Sequence, residues 1–524
     1  MADFKFELTP DFQRIKCVYA PSEREYNKLR NGFKLYRKNA FMSPAVRHGF
    51  ADGRTSFFDG PYLPIGLWGE LVNYMNMRGL NAEIAGLKVF LNEDLSQEDV
   101  NEFIDNLFEG TEIKDIRWYQ YESIYRILKY RYSSQQISTA AGKTMISFAV
   151  AAYLKSTGVV HKDSKFLMIV PRSTLSSQTY EKFIRYNNGT VQMNCTYFGD
   201  GKKYDESEWD NADVIISTYQ TLSTIQEHKF TTIKVINVDE AHTAKTASIK
   251  RVIKLSSPLK YRFGLSGTLM VNMNNAEYYE NLTQLGPVVF VYNPKDLIDD
   301  GFAPNVSIRK VMLYYTGGIK ETELYKEYMT FRQQEDYFIK NHMKGSDECL
   351  KFYKDLYAME KRMICSDMIR MDAIIDYLSK IDKSKNILVL FNDIKGEYGK
   401  NLCERMNAFK TTKYIDGSTK GIDRNATMEE IEDTGVNLVA SFGTFSTGID
   451  LKNIHYIVFA ESYKSPVLIG QSIGRGLRSH KSKKEIEIID FVDEAYKHTV
   501  KQSEKRDTIY RKDGYPIKID RIDL

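Results

Sequence analysis

Two series of short, mostly β-branched apolar runs limit the folds open to this chain more than any other feature. The first comprises Phe166–Val170, Val214–Ile216 and Val235–Val238. The second comprises Ile387–Phe391, Leu438–Ala440 and Tyr456–Phe459. Each run is too short for a globular helix and does not alternate with polar residues. A strand with one wet face alternates, whereas a strand covered on both faces does not. Runs of this kind, separated by segments with helical spacing, predict parallel strands sandwiched between helices. The two series flank a helical stretch from about Lys320 to Ile381, so the chain is expected to fold as two α/β lobes in tandem.

Residues 1–110 read differently. Phe4–Leu8 and Ile15–Tyr19 alternate and predict short strands. Glu23–Leu35 has helical spacing with many basic residues, and 47–69 is rich in Gly, Pro and Asp, as turns and hairpins are. Ser96, with Asp99 three residues on, predicts a capped helix through Phe108. The expected division is a small α+β N-terminal domain over 1–110, a first lobe over 111–300, a second over 301–495 and an irregular, charged tail over 496–524.

With 524 residues, 42% of them hydrophobic and 27% charged, the chain has the makings of several cores. It lacks an apolar run long enough to span a bilayer. The opening MADFKFELTP lacks the basic-then-apolar order of a signal peptide. An intracellular protein is therefore expected. Its five cysteines are scattered with no CxxC pair, which argues against structural zinc and against a disulfide framework. The net charge of +4 decides little, but its distribution is uneven. Residues 1–54 hold 11 Lys/Arg against 6 Asp/Glu, and 55–110 hold 2 against 10. Lys34, Arg37, Lys38, Arg47 and Arg54 are thus candidates for nucleic-acid contact, with plain surface charge as the alternative.

Three segments carry chemistry. Ser138-Thr139-Ala140-Ala141-Gly142-Lys143-Thr144 follows a short strand at Gln135–Ile137 and precedes an apolar helix at Met145–Leu154. Backbone N–H groups at a helix N-terminus can hold phosphate oxygens. Lys143 would neutralise them and the Thr144 hydroxyl would ligate magnesium. The strict pattern's first glycine is missing. Asp239-Glu240-Ala241-His242 follows the strand at Val235–Val238. A carboxylate at the end of a buried strand suits a magnesium-binding acid, here Asp239. Glu240 would orient or activate water, and His242 could report the nucleotide state. Gln471-Ser472-Ile473-Gly474-Arg475-Gly476-Leu477-Arg478 puts two arginines three apart on one helix face, placed to act as arginine fingers.

Taken together and in this order, these motifs resemble those of the superfamily 2 helicases, over roughly residues 112–495. That resemblance implies two RecA-like lobes closing on ATP. Trp118-Tyr119-Gln120 looks like the adenine-reading segment, with Gln120 on the base edge. Val170-Pro171-Arg172-Ser173-Thr174-Leu175 and Ser217-Thr218-Tyr219-Gln220-Thr221 look like strand-contacting motifs. Leu265-Ser266-Gly267-Thr268 looks like the coupling motif, in which Ser266 and Thr268 act with His242 and Gln471. Phe391-Asn392-Asp393 resembles the opening of the second lobe. Phe445-Ser446-Thr447-Gly448-Ile449-Asp450 resembles the motif that brings Gly448 and Asp450 to nucleotide and Ser446 to the strand. Arg47–Arg54 and Leu63–Gly69 look like the leading domain of UvsW-type helicases of T-even bacteriophage.

The resemblance implies an ATP- and Mg2+-dependent DNA helicase acting on branched DNA (forks, Holliday junctions and R-loops) in phage recombination, repair and replication. It would work as a monomer in the host cytoplasm, with no membrane partner. Arg172, Ser173, Thr174, Thr218 and Ser446 would touch the backbone, which positions a strand without reading sequence. Ala140, Ala141, Gly142, Lys143 and Thr144 would hold the nucleotide. A duplex translocase, an RNA helicase and a binding scaffold with a dead ATPase remain the alternatives.

Overall fold

The computed structural model describes residues 3–524 except 112, 114, 188, 271–272, 317–322, 341–345, 393–396, 420–426, 428–429, 432–434, 446–450, 452, 464, 479 and 481–482. It divides into two compact units, 1–293 and 294–524.

The first unit begins with β1 (Phe4–Leu8), β2 (Arg14–Tyr19), β3 (Lys34–Tyr36), β4 (Arg54–Ser56), β5 (Tyr62–Pro64) and β6 (Ala82–Ala85). Four of these make a mixed sheet in the order β5-β2-β1-β6, and β3 pairs with β4 as an antiparallel ribbon. Phe4 and Phe6 are buried while Lys5 and Glu7 are exposed, the alternation that the sequence showed. The predicted cap is present: the Ser96 hydroxyl accepts from the Asp99 N–H at 3.0 Å, opening the helix Gln97–Phe108.

This small domain is welded to the first lobe. Phe33 and Phe57 both pack on Tyr279, with ring centroids 5.8 and 5.4 Å apart. Tyr278 donates to Glu70 at 3.2 Å. A Cβ at Gly66 would sit 2.0 Å from the Leu282 carbonyl oxygen, so only glycine permits this approach.

The rest of the unit is a seven-stranded sheet built from β7 (Tyr132–Ile137), β8 (Lys165–Val170), β9 (Cys195–Phe198), β10 (Val214–Thr218), β11 (Ile233–Asp239), β12 (Tyr261–Ser266) and β13 (Val288–Tyr292). Their order is β13-β7-β12-β11-β8-β10-β9, and every pairing is parallel. All residues of β8 and β10 are buried, as unbroken apolar runs require. β7 is buried throughout as well, although its sequence is Tyr-Ser-Ser-Gln-Gln-Ile.

The second unit repeats the scheme with β14 (Asn305–Tyr314), β15 (Ile387–Phe391), β16 (Thr412–Ile415), β17 (Asn437–Ser441), β18 (Tyr456–Phe459), β19 (Glu485–Asp493) and β20 (Ile517–Asp523). The order is β16-β17-β15-β18-β19-β14-β20, again all parallel. The expected helical stretch contains three helices, Glu323–Lys340, Asp347–Ser366 and Met368–Ser379. Ser346 and Asp367 break it by capping the second and third.

The segment from Tyr496 is not irregular. Helix Lys497–Lys512 leads into β20, an edge strand parallel to β14. Its charges misled because they are used internally. Arg506 grips Asp490 through two bonds of 2.8 Å, and both side chains are fully buried.

Candidate functional site

β7 delivers the chain into the 138–142 turn, and the helix Lys143–Ser156 leaves it. Two residues of that turn hold left-handed backbone, Ala140 at φ 72° and Gly142 at φ 86°. At Gly142 an added Cβ would also lie 2.5 Å from the Gln120 amide nitrogen. Ala141 is buried. Neither the Lys143 ammonium nor the Thr144 hydroxyl bonds to any described residue. Both stand in the first turn of a 14-residue helix, where N–H groups lack intrahelical partners. This is a cradle for an anion, with a cation and a hydroxyl ready at its rim.

Gln120 is committed within the chain. Its oxygen accepts from the Arg117 N–H at 2.9 Å, and its nitrogen donates to the Ala141 carbonyl at 3.1 Å. It braces the loop from beneath. The neighbouring aromatic that faces outward is Trp118, 54% exposed and edge-on to Tyr292, while Tyr119 is buried and stacks on Tyr292 at 4.0 Å.

β11 ends at Asp239, and Glu240 follows in left-handed backbone (φ 57°, ψ 60°). That turn throws the Glu240 carboxylate toward the end of the adjacent strand, β12. There the Ser266 hydroxyl donates to Glu240 Oε2 at 3.1 Å and lies 3.0 Å from His242 Nδ1. His242 Nδ1 is 3.3 Å from Glu240 Oε2 and 3.4 Å from the Thr268 hydroxyl. The Thr268 N–H donates to Ser266 Oγ at 3.2 Å. Glu240, His242, Ser266 and Thr268, read from two separate motifs, thus form one polar cluster.

The two adjacent carboxylates titrate apart. Burial, then the Glu240 charge, push the Asp239 carboxyl well above the usual carboxylate range. Burial also works against ionised Glu240, but Lys143, His242 and Ser266 outweigh it and hold its carboxyl low. Glu240 is therefore the standing anion and Asp239 the group that gains from a cation. A magnesium ion fits this donor set, with Asp239 as the carboxylate and Thr144 as the hydroxyl.

Sequence reasoning missed two supports. The Asn237 amide donates to Ser147 Oγ at 2.7 Å, and Ser147 donates to the Lys143 carbonyl at 3.0 Å. They tie the acid-bearing strand to the first turn of the Lys143 helix. The signal was an asparagine interrupting an apolar run.

At the end of β8, Arg172 precedes the helix Ser173–Tyr186. Ser173 Oγ accepts from the Asp200 N–H. The Thr174 hydroxyl bonds to no described residue. Thr218 is 3% exposed, and its hydroxyl caps the turn Tyr219–Leu222 by accepting from the Thr221 N–H at 3.2 Å.

In the second unit, Gln471 and Arg475 ride the helix Pro466–Gly476. Helical structure stops at Gly476, so Arg478 lies past the helix end rather than on its face. Arg475 stands 5.8 Å from the Phe445 ring. Ser446, Gly448, Asp450 and Asp393 lie outside the described residues.

Two family models match the chain. That of the type III restriction enzyme res subunit covers residues 113–271, and that of the helicase conserved C-terminal domain covers 369–480. The first holds Lys143, Asp239, Glu240 and Ser266, and the second holds Gln471, Arg475 and Arg478. The chain belongs to superfamily 2 of the helicases. Among relatives of this helicase, the ATP-dependent DNA helicase uvsW of Enterobacteria phage T4 is 27% identical over 487 residues, 92% of this chain and 89% of that protein. The structure of the helicase MrfA bound to DNA is similar over 80% of this chain and 52% of that one (TM-score 0.53, 14% identity). Dbp5 of S. cerevisiae bound to RNA and ADP BeF3 is similar over 82% and 95% (TM-score 0.51, 13% identity). These two likenesses are of fold.

The leading domain of this helicase gathers some of the expected arginines and lysines on the β3–β4 ribbon. Arg54 lies 4.2 Å from the Tyr36 ring and donates to its hydroxyl at 2.6 Å. Lys34 pairs with Asp52 at 2.7 Å, and Arg37 donates to Thr55 at 2.7 Å. Arg47 ends the short helix Pro44–Arg47. No described helix is long and apolar enough to cross a membrane.

Proposed function

We propose that this helicase couples ATP hydrolysis to movement along DNA and acts at branches. The observation that carries the reading is the Glu240 cluster, in which one ionised carboxylate is held by the coupling serine and the motif histidine.

Lys143 and the loop N–H groups would bind the phosphates. Glu240 would accept a hydrogen bond from the attacking water and orient it as the water oxygen bonds to the γ-phosphorus and the bond from that phosphorus to the ADP oxygen breaks, the water's proton passing to the released phosphate or to solvent. It is suited to this because its neighbours keep it charged. Asp239 and Thr144 would hold magnesium, which supplies charge neutralisation at the phosphates when bound. Arg475 and Arg478 are proposed to meet charge developing on the γ-phosphate. Any shift of Glu240 after hydrolysis would move Ser266 and Thr268, since both belong to its cluster. Arg172, Ser173 and Thr174 are proposed for the strand backbone, and so are Ser446 and the Thr218 turn. Gln120 is proposed to read nucleotide through the loop it braces, with Trp118 as the aromatic beside it. Gly448 and Asp450 complete the proposed nucleotide contacts.

DNA, and branched DNA in particular, is proposed from the similarity to the phage T4 DNA helicase, which spans nearly the whole of both proteins. The test is ATP hydrolysis measured alone and with single-stranded DNA, duplex, a four-way junction or structured RNA. Strongest stimulation by the junction is expected, with Glu240→Gln lowering kcat by roughly 10²-fold or more. Stimulation by duplex alone would replace this reading with a duplex translocase, and stimulation by RNA alone would replace the substrate. An inert protein would make it a binding scaffold.

A further inference from the structure

Arg262, the second residue of β12, is 3% exposed, yet no described residue accepts a hydrogen bond from its side chain. Its Nε is buried and unpartnered, and its guanidinium lies 4.0 Å from the Tyr132 ring. Every other fully buried arginine described, Arg370 and Arg506, is clamped on an aspartate. A guanidinium stays charged in proteins, and a buried charge without a counter-ion is costly. Burial accordingly pulls its proton affinity down.

Arg262 lines a groove of about 450 Å3 where the leading domain meets the first lobe. The lobe side adds Lys250, Lys254 and the hydroxyls of Ser257 and Thr283. The domain side adds Gln13, Thr55 and Ser56. The lining carboxylate, Glu280, is already engaged by Lys250 at 3.2 Å. Lys254 is exposed, and its ammonium bonds to no described residue. Among the described residues the groove thus offers two cations with no side-chain hydrogen-bond or ion-pair partner, one of them buried, beside several hydroxyls and amides. Its place is remote from the ATP site. Arg262 precedes Ser266 by four residues of extended chain, roughly 13 Å at strand spacing.

We infer that this groove is a second anion site, built for a phosphate group held by Arg262 and Lys254 at the joint between the leading domain and the first lobe. A phosphate presents several acceptor oxygens to the guanidinium fork and the ammonium together. The phosphate could be free or part of a nucleic-acid backbone, and the two sources are separable. The site does not depend on the helicase reading, since it shares no residue with the phosphate loop.

The experiment uses the full chain carrying Lys143→Ala, which silences the phosphate loop. Calorimetric titration with inorganic phosphate and pyrophosphate, and DNA binding by fluorescence anisotropy, are run on this protein in chloride buffer. Each is repeated with Lys254→Glu or Arg262→Gln added. A free-phosphate site predicts one binding event in the Lys143→Ala protein, weakened tenfold or more by Lys254→Glu and lost with Arg262→Gln. A backbone site predicts no such event, but a tenfold or greater loss of DNA affinity in both variants. Lys254 is on the surface, so its variant reports even if Arg262→Gln does not fold. Phosphate binding and DNA affinity that are both indifferent to Lys254→Glu would overturn the inference.

Discussion

At the scale of single residues, the two neighbouring carboxylates differ in what ionisation costs them. Asp239 is raised by burial and by Glu240, so the folded protein holds its proton more tightly than the unfolded chain, where it titrates near 3.8. An ionised Asp239 therefore costs stability above its raised value, and that cost vanishes as pH falls below the ordinary carboxylate range. Asp239→Asn removes it. Without nucleotide or magnesium, this variant is expected to melt above the wild type at pH 8, by roughly 2–4 °C for each kcal/mol relieved. The gap should close toward pH 4. Differential scanning fluorimetry across that range checks it, and a gap independent of pH would count against the assignment. Identity and order of these acids were legible in the sequence. The left-handed turn at Glu240, which carries it to Ser266, was not, because nothing in Asp-Glu-Ala-His announces positive φ.

At the scale of elements, the legible part came from hydrophobicity. β8, β10, β11, β15, β17 and β18 are the apolar runs, lengthened by a residue or two at one or both ends in most cases. Of β7 only Gln135–Ile137 was legible, because this strand satisfies its polar groups internally. In β7, Gln135 donates to the Ser123 carbonyl at 2.9 Å, Ser134 donates to the Gly286 carbonyl at 2.9 Å, and Gln136 donates to Asn293 at 2.6 Å. β20 escaped for a related reason, since the helix before it hides its charge against the sheet. Arg506 pairs with Asp490 of β19, and Tyr510 donates to the same carboxylate at 3.1 Å. Breaking a buried pair from one side leaves the other charge stranded, a loss of about 3–5 kcal/mol. Arg506→Ala is therefore expected to destabilise the second unit by that amount, seen as an earlier urea transition. Arg506→Ala with Asp490→Ala should recover part of it, and no recovery in the double variant would refute the pairing argument.

At the scale of the whole molecule, the sequence suggested a separate leading domain, because its composition changes near residue 110. Packing argues otherwise. Phe4, Phe6, Phe33, Leu63 and Leu71 of the leading domain share one continuous core with Leu282, Leu285 and Tyr278 of the first lobe. The Gly66 backbone lies against the Leu282 carbonyl, an approach that no other residue type permits. Such an interface was invisible to a linear reading, since its two sides are about 200 residues apart and neither shows a contact-specific pattern. Removing residues 1–110 would bare Tyr278, Tyr279 and Leu282 and leave a contiguous apolar patch of the kind that drives association. A chain that begins at residue 111 is expected to aggregate, or to elute well ahead of a monomer on gel filtration, while the full chain does not. If 111–524 is instead monodisperse and hydrolyses ATP as the full chain does, the leading domain is an accessory. The shared core would then be a surface the first lobe can expose without loss.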